Sequence, residues 1–219
     1  MLQYILPINA RKWDAYHERA LGFVSEERRE RVKKYKFEQD RLLSLYAALL
    51  ARMSISMFCG ISNDNMHFYK EKMGKPKFLG DESIDISVSH TKNCILCSVV
   101  RSNCIGVDIE KCENAPFDIM AHVFHEKEIE YILQSVTEEE KCYRFFEMWT
   151  RKEAYGKYLG CGLTKEVLHY NTLTREFDKD IYTWKYKEYC CSVYTKDEKR
   201  VDCQEITEKE VLQYFFDVC

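Results

Sequence analysis

The sequence predicts an α+β fold of two similar lobes packed together. Strand-like and helix-like stretches follow the same order in each half: a strand, helices, then strands. Each half carries one long helical pattern. A chain of 219 residues, 46% hydrophobic and 32% charged, buries roughly 70% of its unfolded surface. The boundary falls at 104/105, giving lobes 1–104 and 105–219. No sequence repeat, linker or low-complexity stretch is visible, so the duplication rests on element order alone.

Taken in order, Leu2 to Leu6 alternates loosely and reads as a strand. Ser25 is a good N-cap, with Glu26 and Glu27 in the first turn of a helix carrying Arg28 and Arg31. Leu42, Leu45, Tyr46, Leu49, Leu50, Met53 and Met57 fall at helical spacing. They make 37–58 a core helix, stopped by Gly60. Gly74-Lys75-Pro76 is a turn by its chemistry. Residues 84–88 and 94–100 read as strands around a loop at 89–93, and 105–109 as a third strand. Residues 125–133 are helical. Thr137 to Glu140 is a capping box opening a helix that runs to Leu159 and stops at Gly160. Residues 172–194 are strand-rich, and Thr207 to Glu210 caps a terminal helix.

The net charge is −3, from 33 basic and 36 acidic residues, which gives no whole-molecule reason to bind nucleic acid. Eleven scattered cysteines, an odd number, without a secretory leader, point to reduced thiols and a cytoplasmic protein. Cys94 and Cys97 form a C-x-x-C on a strand, where i and i+3 face opposite ways, so core packing is favoured over zinc or redox chemistry. No apolar run is expected to reach the ~18 residues of a membrane span.

Two segments carry the chemistry. Asp108 and Glu110 are i and i+2 on the third strand and share a face. Adjacent acids on an apolar strand repel, and a divalent cation removes that repulsion. A bare D-x-E pair also reads as two solvated acids at a strand end. The helix about forty residues later changes the balance. Its face runs Tyr143, Phe146, Trp149 or Thr150, Glu153, and Gly156 or Lys157, so Glu153 stands in line with an apolar stripe. Lys157, at i+4, can pair with Glu153. Three carboxylates and a lysine could thus converge on one metal. His90, beside Ser89, could donate to a phosphate. Arg28 and Arg31, one turn apart, could grip an anion, and Lys75 sits in a rigid turn. Each of these is weak alone. His122 and His125 form no metal motif.

These segments resemble the 4′-phosphopantetheinyl transferases of the surfactin-synthetase-activating type. The family's first motif stands as IGVDIE at 105–110 and its second as WTRKEAYGKYLGCG at 149–162, closed by Leu163. The basic helix from Ser25, the Gly74-Lys75-Pro76 turn and the ISVSH segment at 86–90 extend the likeness over about residues 25 to 163. The resemblance implies that Asp108, Glu110 and Glu153 ligate Mg²⁺, and that Lys157, Ser89 and His90 line the phosphates of coenzyme A. It places Arg28, Arg31 and Lys75 at the 3′-phosphate and adenine end. Glu153 would help deprotonate the serine of an apo carrier protein. It also implies two α+β lobes with coenzyme A in the cleft between them. A two-lobed chain needs no partner subunit to complete that cleft, so a monomer is expected. The charge balance and the short apolar runs leave neither nucleic acid nor membrane as an expected partner. Three features depart from the pattern. Ser87 stands for an Asn, which weakens one local hydrogen bond. Arg stands for Lys at 28 and 31. Arg41 is off register for a site role.

Two other readings remain open on the residues alone. Another Mg²⁺ phosphotransfer enzyme, such as a nuclease, would want a broad basic surface that the charge balance does not provide. A non-catalytic module binding coenzyme A or a carrier would tolerate Glu153→Gln, whereas a catalyst would lose turnover.

Overall fold

The computed structural model describes residues 1–70, 76–101, 104–196 and 202–218. β1 (Leu2–Pro7) leads through α1 (Ala15–Ala20) to α2 (Glu26–Lys34), where Ser25 Oγ accepts a hydrogen bond from Arg28 N–H at 3.3 Å. α3 (Glu38–Cys59) stops because Gly60 takes φ 72°, the left-handed conformation that closes a helix. β2 (His67–Lys70) and β3 (Pro76–Leu79) pair antiparallel; the turn read between them lies outside the described residues. β4 (Ile84–Thr91) and β5 (Cys94–Arg101) complete the first half.

β6 (Gly106–Lys111) opens the second half, followed by α4 (Met120–Val123), α5 (Glu126–Leu133) and α6 (Glu138–Leu159). α6 ends, like α3, at a left-handed glycine, Gly160 with φ 70°. α7 (Lys165–His169) and α8 (Arg175–Asp178) precede the hairpin of β7 (Ile181–Tyr186) and β8 (Tyr189–Tyr194). The strand-rich reading of 172–194 therefore holds only from Ile181. β9 (Gln204–Glu205) and α9 (Glu208–Val218) return to the first half.

The larger sheets run β4-β5-β1-β9 and β6-β8-β7, antiparallel except for β9 beside β1. The elements stack in four layers. α3 buries Leu42, Leu45, Leu49 and Met53 against the face of the first sheet that holds Ile95, Cys97 and Val99. The other face of β5, with Cys94, Leu96 and Val100, packs on Val107, Ile109, Cys191 and Val193 of the second sheet. α6 covers the far face of that second sheet. Cys94 and Cys97 thus sit in different layers, as their spacing requires, and the ten described cysteines form no disulfide.

Two expectations change. β4 continues through Ser89, His90 and Thr91, which pair with Leu96, Ile95 and Cys94, so these residues are strand and not loop. Asn93, at φ 58°, lets the chain reverse within Lys92 and Asn93. α3 is itself long and apolar enough to cross a bilayer. Ser44, Arg52 and Ser54 break the run to the eye while its average stays apolar, and most of the helix is buried inside the protein.

Candidate active site

The site begins with a glycine. α6 crosses β6 so closely that a Cβ on Gly106 would lie 1.9 Å from Ala154 O and 2.5 Å from Tyr158 N. Only glycine admits that approach. It brings the turn of α6 bearing Glu153 and Lys157 over the strand face bearing Asp108 and Glu110. At the end of α6, a Cβ on Gly156 would lie 2.6 Å from Gly162 O, so the chain beyond Gly160 folds back against the helix.

β4 holds β6 from the other side, through side chains. Asp85, Ser87, Ser89 and Thr91 alternate along one face of β4. Asp85 Oδ2 accepts from Ile105 N–H at 2.8 Å, and Ser87 Oγ from Val107 N–H at 3.0 Å. Ser89 Oγ donates to Asp108 Oδ1 at 2.6 Å, and Thr91 Oγ1 to Glu110 Oε2 at 2.9 Å. Ser87 therefore makes a buried hydrogen bond of its own, and its departure from the family pattern leaves no gap in this seam.

The charges are unbalanced. Lys157 Nζ lies 2.7 Å from Asp108 Oδ1 and 2.8 Å from Ser89 Oγ. The lysine thus turns to Asp108, not to Glu153 as helical spacing suggested. Asp108 is 3% exposed, and its Oδ2 is buried without a hydrogen-bond partner. Burial and then the charge of Asp108 push the Glu110 carboxyl up to about 7, against the pull of Thr91 and Lys157. Burial and Asp108 likewise raise Glu153. Three acids face one ammonium, all donors are oxygen, and one buried oxygen is unmet. Such a set suits a hard divalent cation. The acids do not stand as a finished cage: among the described residues no three Asp, Glu, His or Cys side chains are already gathered to hold a metal.

Cations surround this acidic centre. His90 is an exposed residue of β4. Desolvation, then Lys157, Arg28 and Arg31, lower its pKa. Arg28 is half-buried, its Nη1 donating to Ser44 Oγ at 3.4 Å, and its pKa is lowered by burial and by Arg31. Arg31 is exposed. Lys75 lies outside the described residues.

Comparison with known proteins fits this geometry. A model of the 4′-phosphopantetheinyl transferase superfamily matches residues 104–212, and one of the 4′-phosphopantetheinyl transferase N-terminal region matches residues 11–100. The chain belongs to the 4′-phosphopantetheinyl transferase superfamily. It is 34% identical over 141 residues to the 4′-phosphopantetheinyl transferase gsp of Aneurinibacillus migulanus, covering 64% of this chain and 57% of that protein. It is 28% identical over 148 residues to Sfp of Bacillus subtilis (strain 168), covering 68% and 65%. For HetI of Nostoc sp. (strain PCC 7120 / SAG 25.82 / UTEX 2576) the figures are 29% over 147 residues, covering 65% and 62%. The match thus spans less than two thirds of these relatives.

Within this transferase-family chain, two polar residues near the motifs escaped the sequence reading. Lys152, beside Glu153, is fully buried and points away from the acids. Its Nζ pairs with Glu128 at 2.7 Å and donates to Tyr170 O at 2.7 Å. Its signal was a lysine between apolar helix positions, whose partner Glu128 lay hidden in the cap of α5: Glu128 Oε2 accepts from His125 N–H. Thr91, the second, was masked by the loop assignment, which hid its place on the same face as Ser89.

Proposed function

We propose that this chain transfers the 4′-phosphopantetheine group of coenzyme A to a serine hydroxyl of an apo carrier protein, releasing adenosine 3′,5′-bisphosphate. The buried, unpartnered Asp108 Oδ2, among acids that outnumber their lysine, carries this reading. Asp108, Glu110 and Glu153 would hold Mg²⁺, and the oxygen-only donor set fits it. When bound, Mg²⁺ neutralises the diphosphate and stabilises the departing nucleotide. Lys157 and His90 orient the diphosphate, and charge-assisted hydrogen bonds make that hold strong, while Ser89, whose one hydroxyl proton goes to Asp108, lines the same place and acts through that carboxylate. Arg28, Arg31 and Lys75 take the 3′-phosphate and adenine end. Glu153 takes the proton from the carrier serine directly or through water. No covalent intermediate on the protein is needed, and the cysteines are spectators.

The same reading divides the chain into lobes 1–104 and 105–219 with coenzyme A in the cleft between them, β9 and α9 crossing back from the second onto the first, and has the protein act as a cytoplasmic monomer. It is supported by α3 and α6, each of 22 residues, each ending at a left-handed glycine and each packed on its own sheet. It is also supported by two family models that meet between residues 100 and 104.

The test is the intact mass of apo carrier proteins of the fatty-acid, polyketide and non-ribosomal-peptide classes. Each is incubated with this protein, coenzyme A and Mg²⁺, with an EDTA control. A gain of ~340 Da on at least one carrier, abolished by EDTA, is the expected result for metal-assisted transfer. No gain on any of the three sinks the transferase reading.

A further inference from the structure

We infer that Ser89 and Thr91 make Asp108 and Glu110 one-oxygen ligands, and that this pair of hydroxyls selects a small octahedral cation over Ca²⁺. This rests on the metal-dependent transfer proposed above and adds a positioning role for Thr91 and a cation preference.

The geometry is a matched pair of pairs. Ser89 and Thr91 are i and i+2 on β4, and Asp108 and Glu110 are i and i+2 on β6, so each hydroxyl meets one carboxylate. Ser89 Oγ donates to Asp108 Oδ1 at 2.6 Å, and Lys157 Nζ lies 2.7 Å from the same oxygen. That leaves Oδ2, the buried atom with no partner. Thr91 Oγ1 donates to Glu110 Oε2 at 2.9 Å, and Oε1 accepts no hydrogen bond from a described residue. Each acid therefore keeps one oxygen occupied by protein donors and presents the other.

The choice of cation follows from that arrangement. Ca²⁺ takes 6–8 oxygens in flexible geometry and gains from carboxylates that bind through both oxygens, whereas Mg²⁺ requires near-octahedral single-oxygen ligation at about 2.0–2.1 Å. A carboxylate oxygen has two lone pairs, so the hydroxyl does not block it, but it fixes the orientation of the carboxylate, and binding through both oxygens requires that hydrogen bond to shift or bend. Thr91 sits at the last position of β4, where its hydroxyl has this one hydrogen bond. Its β-branched shape is kept by valine, so the hydroxyl can be removed alone. A Thr91 that only tied two strands would affect stability and leave the cation preference unchanged.

The experiment uses the full chain with saturating coenzyme A and Mn²⁺ as probe. Free Mn²⁺ is read by electron paramagnetic resonance while Mg²⁺ or Ca²⁺ displaces it. Wild type should yield Mn²⁺ to Mg²⁺ far more readily than to Ca²⁺. Thr91→Val should shift the Ca²⁺-to-Mg²⁺ preference about ten-fold toward Ca²⁺, the usual scale for losing a partner of a metal ligand. Thr91→Ser should keep the wild-type preference. An unchanged preference in Thr91→Val, or the same shift in Thr91→Ser, overturns the inference while the transferase reading stands. A wild-type protein that binds no Mn²⁺ in the presence of coenzyme A overturns the metal reading and this inference together. If a thermal melt shows that Thr91→Val does not fold, Ser89→Ala puts the same question to Asp108, with the same shift expected and an unchanged preference overturning it.

Discussion

α6 carries two lysine–carboxylate pairs five residues apart, and they are built to opposite specifications. Lys152 and Glu128 are both fully buried. Glu128 accepts from Lys152, from Thr172 N–H and Oγ1, and from His125 N–H, while Lys152 also reaches Tyr170 O. Lys157 and Asp108 lie equally close, yet Lys157 is 28% exposed, one oxygen of Asp108 is unmet, and Glu110 and Glu153 crowd the same space. The five-residue offset turns the two lysines roughly 140° apart around the helix. One side of α6 closes on α5 and the chain after α7; the other opens on the seam of β4 and β6. A saturated buried pair is architecture. An acid excess with an empty lone pair is a place for a ligand.

The largest effect should come from breaking the saturated pair. Lys152→Met leaves Glu128 buried without its cation, which typically costs about 3–5 kcal/mol. Urea denaturation would show it as a lower midpoint at an unchanged slope. Adding Glu128→Leu removes the stranded charge and should restore much of the loss, although Thr172 and His125 then lose an acceptor. If Lys152→Met unfolds at the wild-type urea concentration, the pair is not structural and the contrast between the two sides of α6 fails.

The open pair should respond with the opposite sign. Asp108→Asn removes one of three mutually repelling acids, so the metal-free protein should be as stable as wild type or more stable by less than ~1 kcal/mol, the repulsion on Glu110 being screened by water. Mass transfer to a carrier protein should vanish in the same variant. A large loss of stability would mean that Asp108 serves the fold, as Glu128 does, and that its unmet oxygen marks no site.

How much of this was legible beforehand follows from range. The strand motif, the helix motif, the N-cap at Ser25 and both helix-stopping glycines are local, and local chemistry is written in order along the chain. Asp108, Glu110, Glu153 and Lys157 were readable because period 2 on β6 and period 3.6 on α6 fix their faces. Three things were not readable. The Lys157–Asp108 pair spans 49 residues and competes with the nearer Glu153. The Thr91–Glu110 bond needs the hairpin register, which turns on Asn93 taking a left-handed conformation. The capping box expected at Thr137 is only half formed: Thr137 Oγ1 accepts from Glu140 N–H, but Glu140 turns to Val136 N–H and Arg144, because an arginine one turn along competes for its carboxylate. Thr207 and Glu210, with no such competitor among the described contacts, form the full reciprocal box.

The smallest effect is the most specific to the open side. Glu110 titrates near 7 in the folded protein against an ordinary 4.5, because burial and Asp108 disfavour its anion. Below 4.5 it is protonated in both states and contributes nothing. Between 4.5 and 7 the unfolded chain releases the proton while the folded chain keeps it, so stability falls as pH rises, and above 7 the whole penalty is present. Glu153 acts in the same direction. Glu110 is only partly buried and water screens it, so the fall should be about 1 kcal/mol or less. Urea midpoints measured in EDTA at pH 5 and pH 8 should therefore decrease with pH, and decrease less in Asp108→Asn, which lacks the repelling charge. Mg²⁺ should shrink the fall further, because binding a cation favours the ionised carboxylates. His90, whose pKa is lowered, pulls the other way over part of this range, so the acids are read from the difference between the two proteins. A change from pH 5 to pH 8 that is the same in Asp108→Asn as in wild type would show that the acids around Lys157 are as well satisfied as Glu128, and the two sides of α6 would no longer differ in kind.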